Sequence, residues 1–264
     1  MSKIYGFGDS FTEGQPIECT FPAFIKWKEM RGGDLPKCWI DILGEKFNME
    51  VINHGRGGNS NQQIFHDLCE NAHLFEKGDM VFVNWTYKNR FRWAALEKHI
   101  NGEIVYKDKY GNPTDSFRRL SSNNLTSEDF VYITKSTKDE IVQNRFSIQY
   151  SLEVYAYENL IESYAKTKGF DVYFWSADDD IINKLPIEER KVKKYICADI
   201  INDRLIFDTV NSSGLLMDYI KLHGGKTIDL ETNYEVIDNI HFGESGHRVQ
   251  AELFYEYIIS YNTK

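Results

Sequence analysis

The chain has 264 residues with 40 acidic against 31 basic side chains; its net charge of −9 and pI near 5.3 set the surface against phosphate backbones, so nucleic acid is not an expected partner. This length suits one domain, burying about three quarters of its unfolded surface. Cys19, Cys38, Cys69 and Cys197 form no Cys-x-x-Cys pair, hence neither a disulfide framework nor a structural zinc site, and without a secretion leader or an apolar run of ~20 residues the expected place is the cytoplasm with no membrane span.

The apolar run Lys3 to Phe7 predicts a first strand, and Gly8-Asp9-Ser10 directly behind it predicts a turn carrying a hydroxyl. Residues 15–37, rich in Gly, Pro and aromatics, read as an insertion. Trp39, Ile42, Leu43 and Phe47 then recur at helical spacing, followed by a second short strand, Glu50 to Asn53. The loop Asn53-His54-Gly55-Arg56-Gly57-Gly58-Asn59-Ser60-Asn61 leads into a helix with Ile64, Leu68 and Ala72 on one face. After the turn at Gly78-Asp79 comes a third strand, Met80 to Trp85.

Residues 85–93 interleave Trp85, Tyr87, Phe91 and Trp93 with Lys88, Arg90 and Arg92, aromatics suited to an acyl pocket, to stacking on a sugar ring, or to packing beneath an insertion. Residues 101–138 are polar and read as a second insertion. Within 139–168 the positions Ile141, Ile148, Leu152, Tyr155, Leu160, Ile161 and Tyr164 predict one long helix or two shorter ones, stopped by Gly169 before a strand over 170–176. Residues 177–234 read as a third irregular stretch, with a helix expected around 188–199 and a strand around 205–207. Past Gly246, Val249, Leu253, Phe254, Tyr257 and Ile258 predict a closing amphipathic helix. Short strands alternating with helices imply βαβ units and a parallel sheet covered on both faces.

A Gly-Asp-Ser triplet arises by chance in roughly one protein in twenty of this length, so its weight comes from its place at the end of the first strand. That edge of an open α/β sheet is where ligands bind. The bland alternative is a serine that caps the first helix. Asp238-Asn239-Ile240-His241, just before the closing helix, supplies the other two groups that acyl transfer needs: an imidazole base for the hydroxyl and a carboxylate to hold its tautomer. The loop after the second strand offers backbone N–H groups for an anion, but it matches neither Gly-x-Gly-x-x-Gly nor a phosphate loop.

These blocks together resemble the SGNH hydrolase family, the GDSL esterases and lipases. Gly8-Asp9-Ser10 is similar to its first block, residues 53–63 to its second, and Asp238 with His241 to its last. The resemblance implies a three-layer α/β/α sandwich with a central parallel sheet, SGNH- or flavodoxin-like, carrying the insertions. It implies Ser10, His241 and Asp238 as the triad, and the N–H groups of Ser10 and Gly58 as oxyanion donors. The third block departs: where the family has Gly-x-Asn-Asp, this chain reads Asn84-Trp85-Thr86-Tyr87-Lys88-Asn89-Arg90. Asn89 lies closest to the family's asparagine, with Asn84, Thr86 and Arg90 as rivals; losing one such donor costs ~10²–10³ in turnover. Asp9, Asn59, Trp85, Thr86 and Arg90 are the expected substrate contacts. Expected, then, is hydrolysis of a small-molecule or glycan ester, such as an O-acetylated sugar, with no cofactor or metal. The alternative is a catalytically weakened carbohydrate- or protein-binding module on the same fold.

Overall fold

The computed structural model describes residues 2–14, 37–57, 59–86, 90–94, 97–100, 103–106, 117–121, 148–176, 224, 227–228, 235–236 and 242–262. In chain order they form β1 (Lys3–Phe7), α1 (Ser10–Glu13), α2 (Trp39–Phe47), β2 (Glu50–Asn53), α3 (Asn61–Asn71) running into a 3-10 turn, β3 (Met80–Trp85), β4 (Arg90–Ala94), β5 (Glu97–Ile100), β6 (Glu103–Tyr106), β7 (Phe117–Ser121), α4 (Ile148–Lys168), β8 (Asp171–Ser176), β9 (Thr227–Ile228), β10 (Glu235–Val236) and α5 (Glu244–Asn262). Four strands make one parallel sheet in the order β2-β1-β3-β8.

Alternation along these strands divides the core into two layers, because successive side chains point to opposite faces. Ile4, Phe82, Tyr173 and Trp175 meet Trp39, Ile40 and Leu43 of α2 and Ala251, Phe254 and Ile258 of α5. Tyr5, Phe7, Val81, Val83, Trp85, Val172 and Phe174 meet Ile64 and Leu68 of α3 and Val154, Ile161 and Ala165 of α4. The sheet is therefore the middle of an α/β/α sandwich. Each large apolar side chain so enclosed contributes about 1.5–3 kcal/mol. Trp39 is central to the first layer, edge-on to Phe82, Trp175 and Phe254 at 5.6, 5.8 and 5.1 Å. Its indole N–H donates to the Phe11 carbonyl at 2.9 Å, which ties α2 to α1.

The connections from β1 to β2 and from β3 to β8 run in opposite directions. Between the carboxyl ends of β1 and β3 they leave a crevice, the switch point at which such sheets bind ligands. Right-handed crossovers put α2 on one face and α3 and α4 on the other.

Three details differ from the sequence expectations. The last strand of the sheet starts at Asp171 instead of residue 170: Gly169 turns with φ 82°, and the Phe170 ring drops into the core against Phe75 and Tyr164. The helix expected to include Ala72 ends at Asn71, and Ala72 begins the 3-10 turn. Residues 101–138, read as a polar insertion, contain strands β6 and β7, which pair antiparallel with β5 and β4 from the segment just before them. Backbone pairing there overrides the polar composition. Of the one-or-two-helix alternative over 139–168, 148–168 is a single helix. Ile141, the helix around 188–199 and the strand around 205–207 lie outside the described residues. No helix among the described residues is long and apolar enough to cross a membrane.

Candidate active site

Ser10 is the first residue of α1, directly beyond the carboxyl end of β1, and only 3% exposed. Asp9 is the helix cap: its extended backbone (φ −100°, ψ −152°) brings the carboxylate round to accept the Phe11 N–H at 3.1 Å. Gly14, with φ 82°, ends the turn and donates to the Ser10 carbonyl at 3.1 Å. Gly8 has no space for a side chain, since a Cβ there would stand 2.1 Å from Thr12 Oγ1 and 2.8 Å from Asn84 Cβ.

The loop after β2 is bound to this turn at several points. His54 and Arg56 donate their N–H groups to the carbonyls of Gly6 and Gly8 at 2.7 and 3.1 Å. Asn53 bridges the loop, donating Nδ2 to the Thr12 carbonyl at 2.7 Å and accepting the Gly55 N–H at 2.9 Å. Glu13 accepts the Gly57 N–H. Gly55 lies flat on α1: a Cβ would come within 2.4 Å of Glu13 N and 2.7 Å of Thr12 C, both backbone. Asn59, fully buried, donates Nδ2 to the Gly8 carbonyl at 3.1 Å and to Asp67 at 3.4 Å. The His54 ring stacks on Phe7 at 4.9 Å, and partial burial pushes its pKa down against the opposing pull of Asp67.

The end of β3 closes the other side. Asn84 donates Nδ2 to Asp9 Oδ1 at 2.8 Å, and the Thr86 hydroxyl donates to Asp9 Oδ2 at 2.6 Å. Thr86 is held in turn by Asn61, which accepts its N–H at 2.7 Å and donates Nδ2 to its carbonyl at 3.1 Å. The single hydroxyl proton of Thr86 is thus spent on Asp9 and is not available to an oxyanion. Trp85 lies in the core, fully buried, with its indole N–H on Glu158 Oε1 at 2.9 Å.

The structure therefore brings Asp9, Ser10, Asn59 and Thr86 together at the crevice, with Asn84 beside them, and places the Trp85 ring beneath it. Arg90 is the first residue of β4. Gly58, Asn89, Asp238 and His241 lie outside the described residues. Sequence reading missed Asn53, Asn61 and Asn84 as tethers; asparagines flanking a strand end were the available signal, because a short amide can pair with main chain in both directions. Among the described residues His66, Asp67 and Glu70 approach within 4.8 Å of one another, the spacing of a helix turn.

No protein-family model matches the chain, and no curated protein matches it. Solved structures do. One is a member of the lipolytic protein G-D-S-L family from Veillonella parvula, 16% identical, with 97% of each chain covered and a TM-score of 0.41. A putative lipolytic protein of the G-D-S-L family from Desulfitobacterium hafniense is 13% identical over 97% of this chain and 99% of that one, TM-score 0.33. An alpha/beta hydrolase enzyme from the metagenome of Lake Arreo is 16% identical over 97% and 94%, TM-score 0.37.

Proposed function

We propose that the chain is a serine hydrolase of SGNH type that cleaves a carboxylic ester, with an acetyl group on a carbohydrate as the favoured substrate. The observation that supports this best is the setting of Ser10: a buried hydroxyl on the first turn of a helix, at the crevice between the two inner strands. Glycines without room for a side chain, Gly8 and Gly55, pack around its turn.

His241, oriented by Asp238, takes the proton of Ser10 as Oγ attacks the ester carbonyl. The negative charge that forms is held by the N–H groups of Ser10 and Gly58 and by the side chain of Asn89. Collapse expels the alcohol, which receives the proton from His241. Water, deprotonated by the same imidazole, then attacks the acyl carbon; the bond to Ser10 Oγ breaks, the acid leaves and His241 returns its proton to Oγ. Arg90 is the proposed substrate contact.

A fluorophosphonate should attach to Ser10 of the folded protein at neutral pH, located by peptide mass, and Ser10→Ala should abolish labelling and esterase activity. Activity should rise with pH through roughly 6 to 7, as a neutral imidazole base requires. Folded protein that stays unlabelled would overturn the hydrolase reading, and an active protein with a flat profile would remove His241 from its role. Glycan binding with every activity indifferent to Ser10→Ala would put the binding module in its place.

A further inference from the structure

One buried carboxylate at the crevice takes no part in the relay just proposed. Asp9 is fully buried, and among the described residues its two oxygens accept from the Phe11 N–H of α1 and from Asn84 Nδ2 and Thr86 Oγ1 at the end of β3. The Thr86 bond, at 2.6 Å, is the shortest of the three. A buried charge is tolerated only when satisfied in this way. Thr86 is itself fixed at both main-chain groups by Asn61 of α3. A continuous chain of bonds thus runs from α3 through Thr86 and Asp9 to the residue next to Ser10.

We infer that Asp9 is a positioning residue for the proposed ester hydrolysis, latching the Ser10 turn to the carboxyl end of β3 through Thr86 and Asn84; the inference rests on the hydrolase reading above. α1 has four residues, and one isolated helical turn has almost no stability of its own. Its orientation must come from outside. Asn53, Gly55 and the Glu13–Gly57 contact restrain it from the β2 side. Asp9 supplies the restraint from the β3 side, across the crevice where the substrate carbonyl must sit. Reacting groups need placement within roughly 0.5 Å, so releasing this latch slows the chemistry and leaves binding largely intact.

The Thr86 hydroxyl allows packing to be separated from hydrogen bonding. Valine matches threonine in shape and lacks the proton, whereas serine keeps the proton and loses a methyl group. With p-nitrophenyl acetate, Thr86→Val should lower kcat about tenfold or more with KM within about twofold, and should slow fluorophosphonate labelling of Ser10 in parallel. Thr86→Ser should stay within about threefold of wild type on both readouts. Asp9→Asn should lose about 10²-fold. Rates are taken per folded molecule, from circular dichroism. If Thr86→Val matches a labelled wild type, or Thr86→Ser is the worse of the pair, Asp9 does not act through this bond and the inference falls alone. A wild type that is not labelled at Ser10 overturns the hydrolase reading and the inference with it.

Discussion

Gly55→Ala places one methyl group against the backbone of α1, 2.4 Å from Glu13 N and 2.7 Å from Thr12 C. Ordinary contact begins at 3.4 Å, so the helix and the loop must part by about 3.4 − 2.4 = 1 Å. Backbone cannot rotate aside as a side-chain end can. Overpacking of this kind costs about 1–3 kcal/mol, which for a chain of this size lowers Tm by roughly 2 to 12 °C. A shift of about 1 Å in the helix that carries the proposed nucleophile should also slow Ser10 labelling by about 10²-fold. Gly6→Ala is the control, because its Cβ meets Ile40 Cδ1 at 2.3 Å, the end of a side chain that can move. Both variants would be followed by calorimetry and by fluorophosphonate labelling. Should Gly55→Ala melt and label like wild type, the loop does not rest on α1 and the steric account of the site is wrong.

The remaining predictions address charge, burial and the core. His54 has its folded pKa pushed below the ordinary value, chiefly by burial, so between the two values the unfolded chain binds more protons. The stability it contributes is complete above about pH 6.5 and is lost as pH falls through the folded value; His54→Phe, which keeps a ring against Phe7, should flatten the fall of Tm below about pH 6.5, and an unchanged slope would refute this. The Cys38 thiol, pushed up to about 12 by burial first and by Asp41 second, should resist iodoacetamide at neutral pH until urea unfolds the chain, whereas exposed Cys69 is alkylated while folded; peptide mapping that finds Cys38 modified first would contradict its placement. Trp85→Phe removes the donor to buried Glu158 Oε1 and should cost about 1–3 kcal/mol with KM unchanged. A raised KM with an unchanged Tm would return Trp85 to the substrate.

The sheet was legible because β1, β2 and β3 are short apolar runs bounded by turn formers, and nothing in their neighbourhood competes for their backbone. β4 was also visible in principle, since Arg90-Phe91-Arg92-Trp93 alternates with period two; its aromatics drew attention to a pocket instead. Its partner β7, Phe-Arg-Arg-Leu-Ser, carries no such alternation, and pairing between segments far apart in sequence is not written in either one alone. At the site, the place of Ser10 followed from strand, glycine and turn. The tethering role of Asp9 did not, because it depends on Asn84 and Thr86 arriving from 75 and 77 residues away.

Trp39 touches residues that the ribosome supplies at very different times: Phe11, then Phe82, Trp175 and finally Phe254. A nascent chain that has emerged only as far as β3 has its hydroxyl-bearing turn but lacks α5, which later seals this layer. Until α5 is in place, therefore, this layer leaves the Trp39 indole without the Phe254 ring that covers one of its sides.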